Sequence, residues 1–351
     1  MPSPSLGFIL VTLFLLVSTI PVMSSMPSLN PTVSELMAKG PTEVASYLEG
    51  IYEHSAWVAE ELSKCDLTQY TTVTKLAEAM KAIVEGSSYD QKLELLRAHP
   101  DLCEKVGRLE ALTMESQEEQ SRSGLQSLTE EELTSFNHMN EAYRTKCGFP
   151  FILAVRNASK QTVLAALEGR LQNSVETEFT IAMQQVHKIA WMRLLTKLST
   201  DDANGFLTCH VLDTANGIPA QKMRITLTRL SPPETAGVIG EFVTNDDGRL
   251  EGGPALKGGK EFTVGVYEWT FHVGDVSLFR LAYLNHHWIN AHKSIPLSHL
   301  LLQYFASKGT FTSGQPFIDV VPLRFGIDNP DDHYHVPLLV SPWSFSTYRG
   351  S

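Results

Sequence analysis

What is scarce in this chain narrows its class first. Cysteine occurs four times, as Cys65, Cys103, Cys147 and Cys209, and no two stand at C-x-x-C spacing. That pattern excludes a disulfide framework and a cysteine zinc site, so buried or half-buried free thiols are expected. A basic excess is missing too: 28 Lys and Arg face 39 Asp and Glu, for a net charge of −11. Nucleic-acid binding is rewarded through a basic face that releases counterions, so no nucleic-acid partner is expected. No charged side chain precedes Glu35, and the apolar run 6–20, LGFILVTLFLLVSTI, is too short to span a bilayer comfortably. It suits the core of a signal peptide, with Val22-Met-Ser24-Ser25 offering small residues for cleavage, although no Lys or Arg precedes it. Residues 1–25 therefore read as a signal peptide or an unstructured leader, and Met26 is an alternative start. A leader in use implies the secretory route, where Asn157-Ala158-Ser159 is a glycosylation sequon; otherwise the peroxisome or cytoplasm is expected.

At 351 residues the chain is long for one core, so two domains are expected. Their periods differ. Residues 30–198 read as helices: apolar side chains recur at three-to-four spacing from Leu133 to Tyr143, after a Thr129/Glu132 capping box and before Gly148. From Ser174 to Leu198, the residues Phe179, Ala182, Val186, Ile189 and Ala190 form an apolar stripe. Residues 206–351 alternate instead, as in the runs from Arg224 to Arg229 and from Phe262 to Tyr267, with turn signals at Asn245-Asp-Asp-Gly248 and Asn329-Pro330. The fold class expected is multidomain: an all-α region, a polar linker at 199–205, then an all-β sandwich.

The chain's last residues run apolar and β-rich where termini normally fray, from His333-Tyr-His335 to Tyr348-Arg349-Gly350-Ser351. Leu207-Thr-Cys-His210, Thr244-Asn-Asp-Asp-Gly248-Arg249 and Pro322-Leu-Arg324-Phe-Gly326 precede them in order. This set resembles the transthyretin-like 5-hydroxyisourate hydrolases over nearly all of 205–351. The resemblance implies a sandwich that assembles as a homotetramer, with a site at the interface between its dimers. It also implies catalytic His210, Arg249, His335 and Ser351, with His333, Tyr348, Arg349 and Gly350 at the substrate. The residue types suit ring opening by water: imidazole is a base near neutral pH, and a guanidinium can hold electron density on substrate oxygens. A zinc site from His210, His333 and His335 is a competing idea, but no carboxylate or cysteine pattern completes it.

In the helical half, His99 stands before Pro100, which disfavours helix at His99 and ends the preceding helix there. Taken singly it is a histidine in a turn, and Glu119-Gln120 is a solvated polar stretch. Arg193 falls on the apolar stripe, so it must snorkel outward or meet an anion. Tyr52-Glu53-His54-Ser-Ala-Trp57, Arg97-Ala-His99-Pro100-Asp101, Ser116-x-x-Glu119-Gln120 and Cys147-Gly148-Phe149-Pro150-Phe151-Ile152 together resemble 2-oxo-4-hydroxy-4-carboxy-5-ureidoimidazoline decarboxylase over about 30–198. The resemblance implies His99 as general acid/base, tuned by Glu119. Ser116, Gln120, Phe151, Ile152 and Arg193 then hold the substrate, and no metal or other cofactor is needed.

The two resemblances imply consecutive steps of urate breakdown by one bifunctional enzyme, a hydrolase and a carboxy-lyase, acting on small molecules and ending in (S)-allantoin. Two rival readings are a decarboxylase with an impaired hydrolase domain and a transthyretin-like small-molecule binding protein. The first arises from residues 276–303, which interrupt the hydrolase pattern between Asp275 and Tyr304. The insertion starts with Val and ends with Gln, as a translated intron would, and its histidines show no ligand spacing.

Overall fold

The computed structural model describes residues 30–102, 128–155, 158–274 and 317–350. The leader, Asn157 and the insertion at 276–303 lie outside them.

In the first half, the described helices are α1 (Val33–Met37), α2 (Pro41–Leu48), α3 (Trp57–Ser63), α4 (Val73–Gly86), α5 (Tyr89–Arg97), α6 (Glu130–Cys147), α7 (Lys160–Arg170) and α8 (Val175–Lys197). Side-chain caps fix most of their starts. Thr32, Ser88 and Thr129 each form a capping box with the residue three further on, satisfying amide groups the first turn leaves unpaired. Gly148 ends α6 in the left-handed conformation, φ 78°, as expected of a glycine stop. The stripe on α8 packs inward: Ala182, Val186, Ile189 and Ala190 are buried, Arg193 among them, while Phe179 is half-buried and stacks on Tyr89 at 4.9 Å.

The second half is a sandwich of two sheets. One has the order β2-β1-β8-β9, with β5 also pairing β1: β1 is Phe206–Asp213, β2 Ile218–Pro219, β5 Leu256–Lys257, β8 His333–Val340 and β9 Phe345–Thr347. The other runs β4-β3-β6-β7, built from β3 (Arg224–Ser231), β4 (Gly237–Val243), β6 (Gly265–His272) and β7 (Val320–Ile327). Alternation holds on β1, where every second side chain is buried. The strand read from Phe262 begins later, at Gly265; Phe262 is buried ahead of it, in the core. The β1–β8 pair is parallel, so Phe206 faces His333, Thr208 faces His335 and His210 faces Pro337 across the ladder.

Each half has its own hydrophobic core. The segment 199–205 is tied to both rather than hanging free. The Ser199 N–H donates to Pro31 O at 2.9 Å, Asp202 accepts from the Ser34 N–H at 3.0 Å, and the Gly205 N–H donates to Pro330 O at 3.0 Å. A Cβ at Gly205 would lie 2.4 Å from Pro330 O, so only glycine fits there. The Trp191 indole also donates to Asp328 O at 3.1 Å, and Thr74 to Asn329 at 2.8 Å. Cys65 is exposed, whereas Cys147 and Cys209 are buried; all three are free thiols.

Candidate active sites

In the helical half, α5 stops at Arg97 and leaves His99 in the turn before Pro100. The side chain folds back, and Nδ1 lies 2.9 Å from the Leu95 carbonyl. A carbonyl only accepts, so Nδ1 carries the proton and Nε2 is the basic nitrogen of the neutral ring. Burial pushes the His99 pKa down to about 4; the Leu95 bond and the Glu53 carboxylate oppose that, while Arg193 and His54 add to it. The imidazole is therefore neutral at pH 7, in its base form.

Arg193 does not snorkel. Its Nη2 lies 2.6 Å from Glu53 Oε2 and its Nη1 donates to Gly50 O at 3.1 Å, both supplied by the turn between α2 and α3. The anion it meets in the chain is thus Glu53, a residue not singled out from the sequence although it stands in the Tyr52-Glu53-His54 motif. His54, beside it, has φ 47°, a left-handed conformation that histidine tolerates better than most residues.

Phe151 and Ile152 are two further residues expected at the substrate. Both are buried in the core. The Arg170 guanidinium lies 4.6 Å from the Phe151 ring centre and donates to Ile152 O at 2.7 Å. Apolar bulk places both side chains in the core. Ser116, Glu119 and Gln120 lie outside the described residues. A cavity of about 340 Å³ opens between the two halves, lined by Tyr52, Lys81, His187, Trp191 and Asn329 among others; it holds neither His99 nor the sandwich histidines.

In the sandwich, the register brings distant motifs together. His210 on β1 forms a bridge with Arg249, and His335 on β8 forms one with Gly350. Gly248 makes the first possible. It has φ 74°, and a Cβ there would come within 2.3 Å of Val211 O. His210 Nε2 donates to Asp247 O at 2.8 Å, which leaves Nδ1 as its basic nitrogen. The His210 and His335 rings are 6.5 Å apart, and those of His333 and His335 6.1 Å. Burial lowers the His335 pKa, and Arg249, His333 and His210 push in the same direction. Gly350 packs so closely that a Cβ would fall 2.7 Å from His335 Cδ2.

Arg349 stands apart from this group within one chain. Its Nη2 lies 3.1 Å from Asp332 Oδ2, and its guanidinium sits 4.5 Å from the Tyr334 ring centre. Tyr348 is exposed, and Ser351 lies outside the described residues. Thr208, missed in the sequence, touches both His333 and His335, because the parallel ladder sets them beside it.

The segments that form the two cores match two families. Residues 38–195 match the OHCU decarboxylase family, and residues 207–350 match the HIUase/Transthyretin family. The 2-oxo-4-hydroxy-4-carboxy-5-ureidoimidazoline decarboxylase of Haloferax volcanii is 40% identical over 151 residues, 43% of this chain and 86% of the relative. The 5-hydroxyisourate hydrolase 2 of Rhizobium meliloti is 41% identical over 148 residues, 42% of this chain and 98% of the relative. The chain belongs to both families. A crystal structure of (S)-allantoin synthase unites the two: it is 63% identical, covers 91% of this chain and 100% of its own, and has a TM-score of 0.73. The matched segments stand in the order OHCU decarboxylase first and HIUase/Transthyretin second.

Proposed function

We propose that the chain converts 5-hydroxyisourate into (S)-allantoin in two steps. The observation that carries this reading is the presence, in one chain, of segments of both families on separate cores, together with 63% identity over 91% of the chain to (S)-allantoin synthase. In the sandwich, water adds to a ring carbonyl of 5-hydroxyisourate while a histidine of the His210–His335 group takes its proton. The ring C–N bond breaks, leaving the carboxylate and ureido groups of the product. The Arg249 guanidinium supports the oxygen on which charge grows. Ser351 and the terminal Tyr348-Arg349-Gly350 complete the site in the assembled protein. Exposed Trp343, Phe345 and Tyr348 at and beside the edge strand β9 favour self-association, and a homotetramer is the assembly proposed.

In the helical half, His99 Nε2 takes and returns a proton as carbon dioxide leaves and the electron pair passes to the adjoining imidazoline carbonyl and imine. Protonation on one face gives one enantiomer. Arg193, with Ser116 and Gln120, holds the carboxylate and ureido groups, and Glu119 orients His99. A coupled assay on the full chain tests the whole reading: freshly generated 5-hydroxyisourate should disappear faster than it does unaided and yield optically active allantoin. His99→Ala should let the ureidoimidazoline accumulate and decay only slowly, with loss of optical activity in the product, and His335→Ala should leave only the spontaneous first step. Racemic product at the spontaneous rate from the unaltered chain would overturn the reading.

A further inference from the structure

The hydroxyl of Thr208 lies 2.8 Å from His333 Nε2 and 2.9 Å from His335 Nδ1. Its contact with Tyr334 O, at 3.5 Å, is too long to compete. A threonine hydroxyl has one proton and two lone pairs. With one short bond to each ring, it donates to one imidazole nitrogen and accepts from the other. The two rings therefore have linked tautomers. His333 is held in place for this by stacking on Phe206, ring centres 4.1 Å apart and planes 23° from parallel. The pairing follows from the β1–β8 ladder, which sets Thr208 opposite His335 and Phe206 opposite His333.

We infer that Thr208 relays protons between the two histidines, so that His333 stores the proton His335 takes from water. The inference rests on the hydrolase reading of this site. As the water oxygen bonds to the ring carbonyl, its proton goes to His335 Nε2. The Nδ1 proton of His335 passes to Thr208, and the hydroxyl proton of Thr208 passes to His333 Nε2. Positive charge ends on His333, and His335 is neutral again. When the ring C–N bond breaks, the three transfers run backwards and the departing nitrogen receives the proton. One water is consumed, one C–N bond is lost and the histidines return to their starting state.

The surroundings favour this direction. Burial and the charges of Arg249, His333 on β8 and His210 on β1 all oppose an imidazolium at His335, and the Gly350 backbone closes against it. His333 instead lies against the aromatic face of Phe206. Thr208 is thus a positioning and relay residue that need not touch substrate, and His333 changes from a substrate contact into a proton store.

The test uses the full chain and freshly generated 5-hydroxyisourate. Thr208→Val keeps the shape and removes the hydroxyl; it should lower kcat about tenfold or more while KM stays within about twofold. Thr208→Ser should restore most of that loss. His333→Phe should lower kcat similarly, and the double variant should be no worse than either single one, because both break one relay. The decarboxylase rate and the circular dichroism of each sample report that it is folded. Undiminished kcat in Thr208→Val, a Thr208→Ser variant as slow as Thr208→Val, or fully additive losses would overturn the relay. His335→Ala separates the two levels: if it is inactive while Thr208→Val is normal, only the relay fails; if it is fully active, the hydrolase assignment itself fails.

Discussion

Arg193 and Glu53 meet as a buried ion pair, Nη2 to Oε2 2.6 Å, with 3% and 0% of their side chains exposed. The pair joins α8 to the turn between α2 and α3, and both charges act on His99 with opposite signs. Removing two charges from water is costly, so such a pair is poor evidence of net stability; breaking it is a different matter, because the survivor is stranded.

Glu53→Ala should therefore destabilise the helical half by about 3–5 kcal/mol, measured as a lower urea midpoint of its transition. Arg193→Ala should cost a similar amount, and the double variant less than the sum of the two. Additive losses would show that the two side chains do not depend on each other.

His99 makes stability depend on pH with a definite sign. Its folded pKa, about 4, lies below the ordinary histidine value of 6.5. Between those values the unfolded chain binds more protons, so the fold loses stability as pH falls from about 6.5 to about 4. The full penalty is on the order of 3 kcal/mol, present below pH 4 and absent above 6.5. His99→Asn should show a smaller loss between pH 7 and pH 4.5 than the unaltered chain. The same substitution should lower decarboxylation about a hundredfold or more. A normal rate in that variant would remove His99 from the mechanism.

A second buried ion pair lies in the helical half. Glu178 Oε2 accepts from Arg170 at 2.8 Å and from the Tyr143 hydroxyl, and Glu178 Oε1 accepts from Asn173 at 2.7 Å. Because Arg170 also holds Ile152 O, Glu178→Ala should cost about 3–5 kcal/mol and lower decarboxylation by loosening 149–152. Tyr143→Phe should cost less, since Arg170 and Asn173 remain on Glu178. If Glu178→Ala melts like the unaltered chain, the network is not structural.

Local signals in the sequence reached what depends on neighbours along the chain. Pro100 marks the end of α5 and so the position of His99, Thr129 with Glu132 marks the start of α6, and alternation marks β3 and, from a little too early, β6. Arg193 on an apolar stripe announced a missing anion without naming it. Glu53 and Thr208 were harder because their partners are distant: 140 positions do not show that the α2–α3 turn meets α8, and only the parallel β1–β8 register places Thr208 beside His333 and His335. Phe151 and Ile152 stand in a motif of the helical half, and their burial in its core is likewise a matter of packing that the spacing alone does not show.

The insertion at 276–303 can be judged from the strands on either side. β6 ends at His272 and β7 begins at Val320, paired to each other, and the Gly274 N–H donates to Asp319 O at 2.7 Å. The two ends of the connection are thus adjacent, and its length does not set the register. Closing a longer loop costs little, about 0.6 kcal/mol for each doubling of its length. The chain lacking residues 276–303 should therefore keep the β6–β7 pairing. It should also be more soluble, because the apolar run at 297–302 is removed, and its hydrolase activity and the proposed assembly should improve. Size-exclusion profiles and initial rates on 5-hydroxyisourate for the two chains, side by side, provide the comparison. Equal solubility and equal rates would show that the insertion does no harm, and a sandwich that fails to fold without it would show that these residues are part of the domain. Sequencing the transcript decides separately whether the segment is a translated intron.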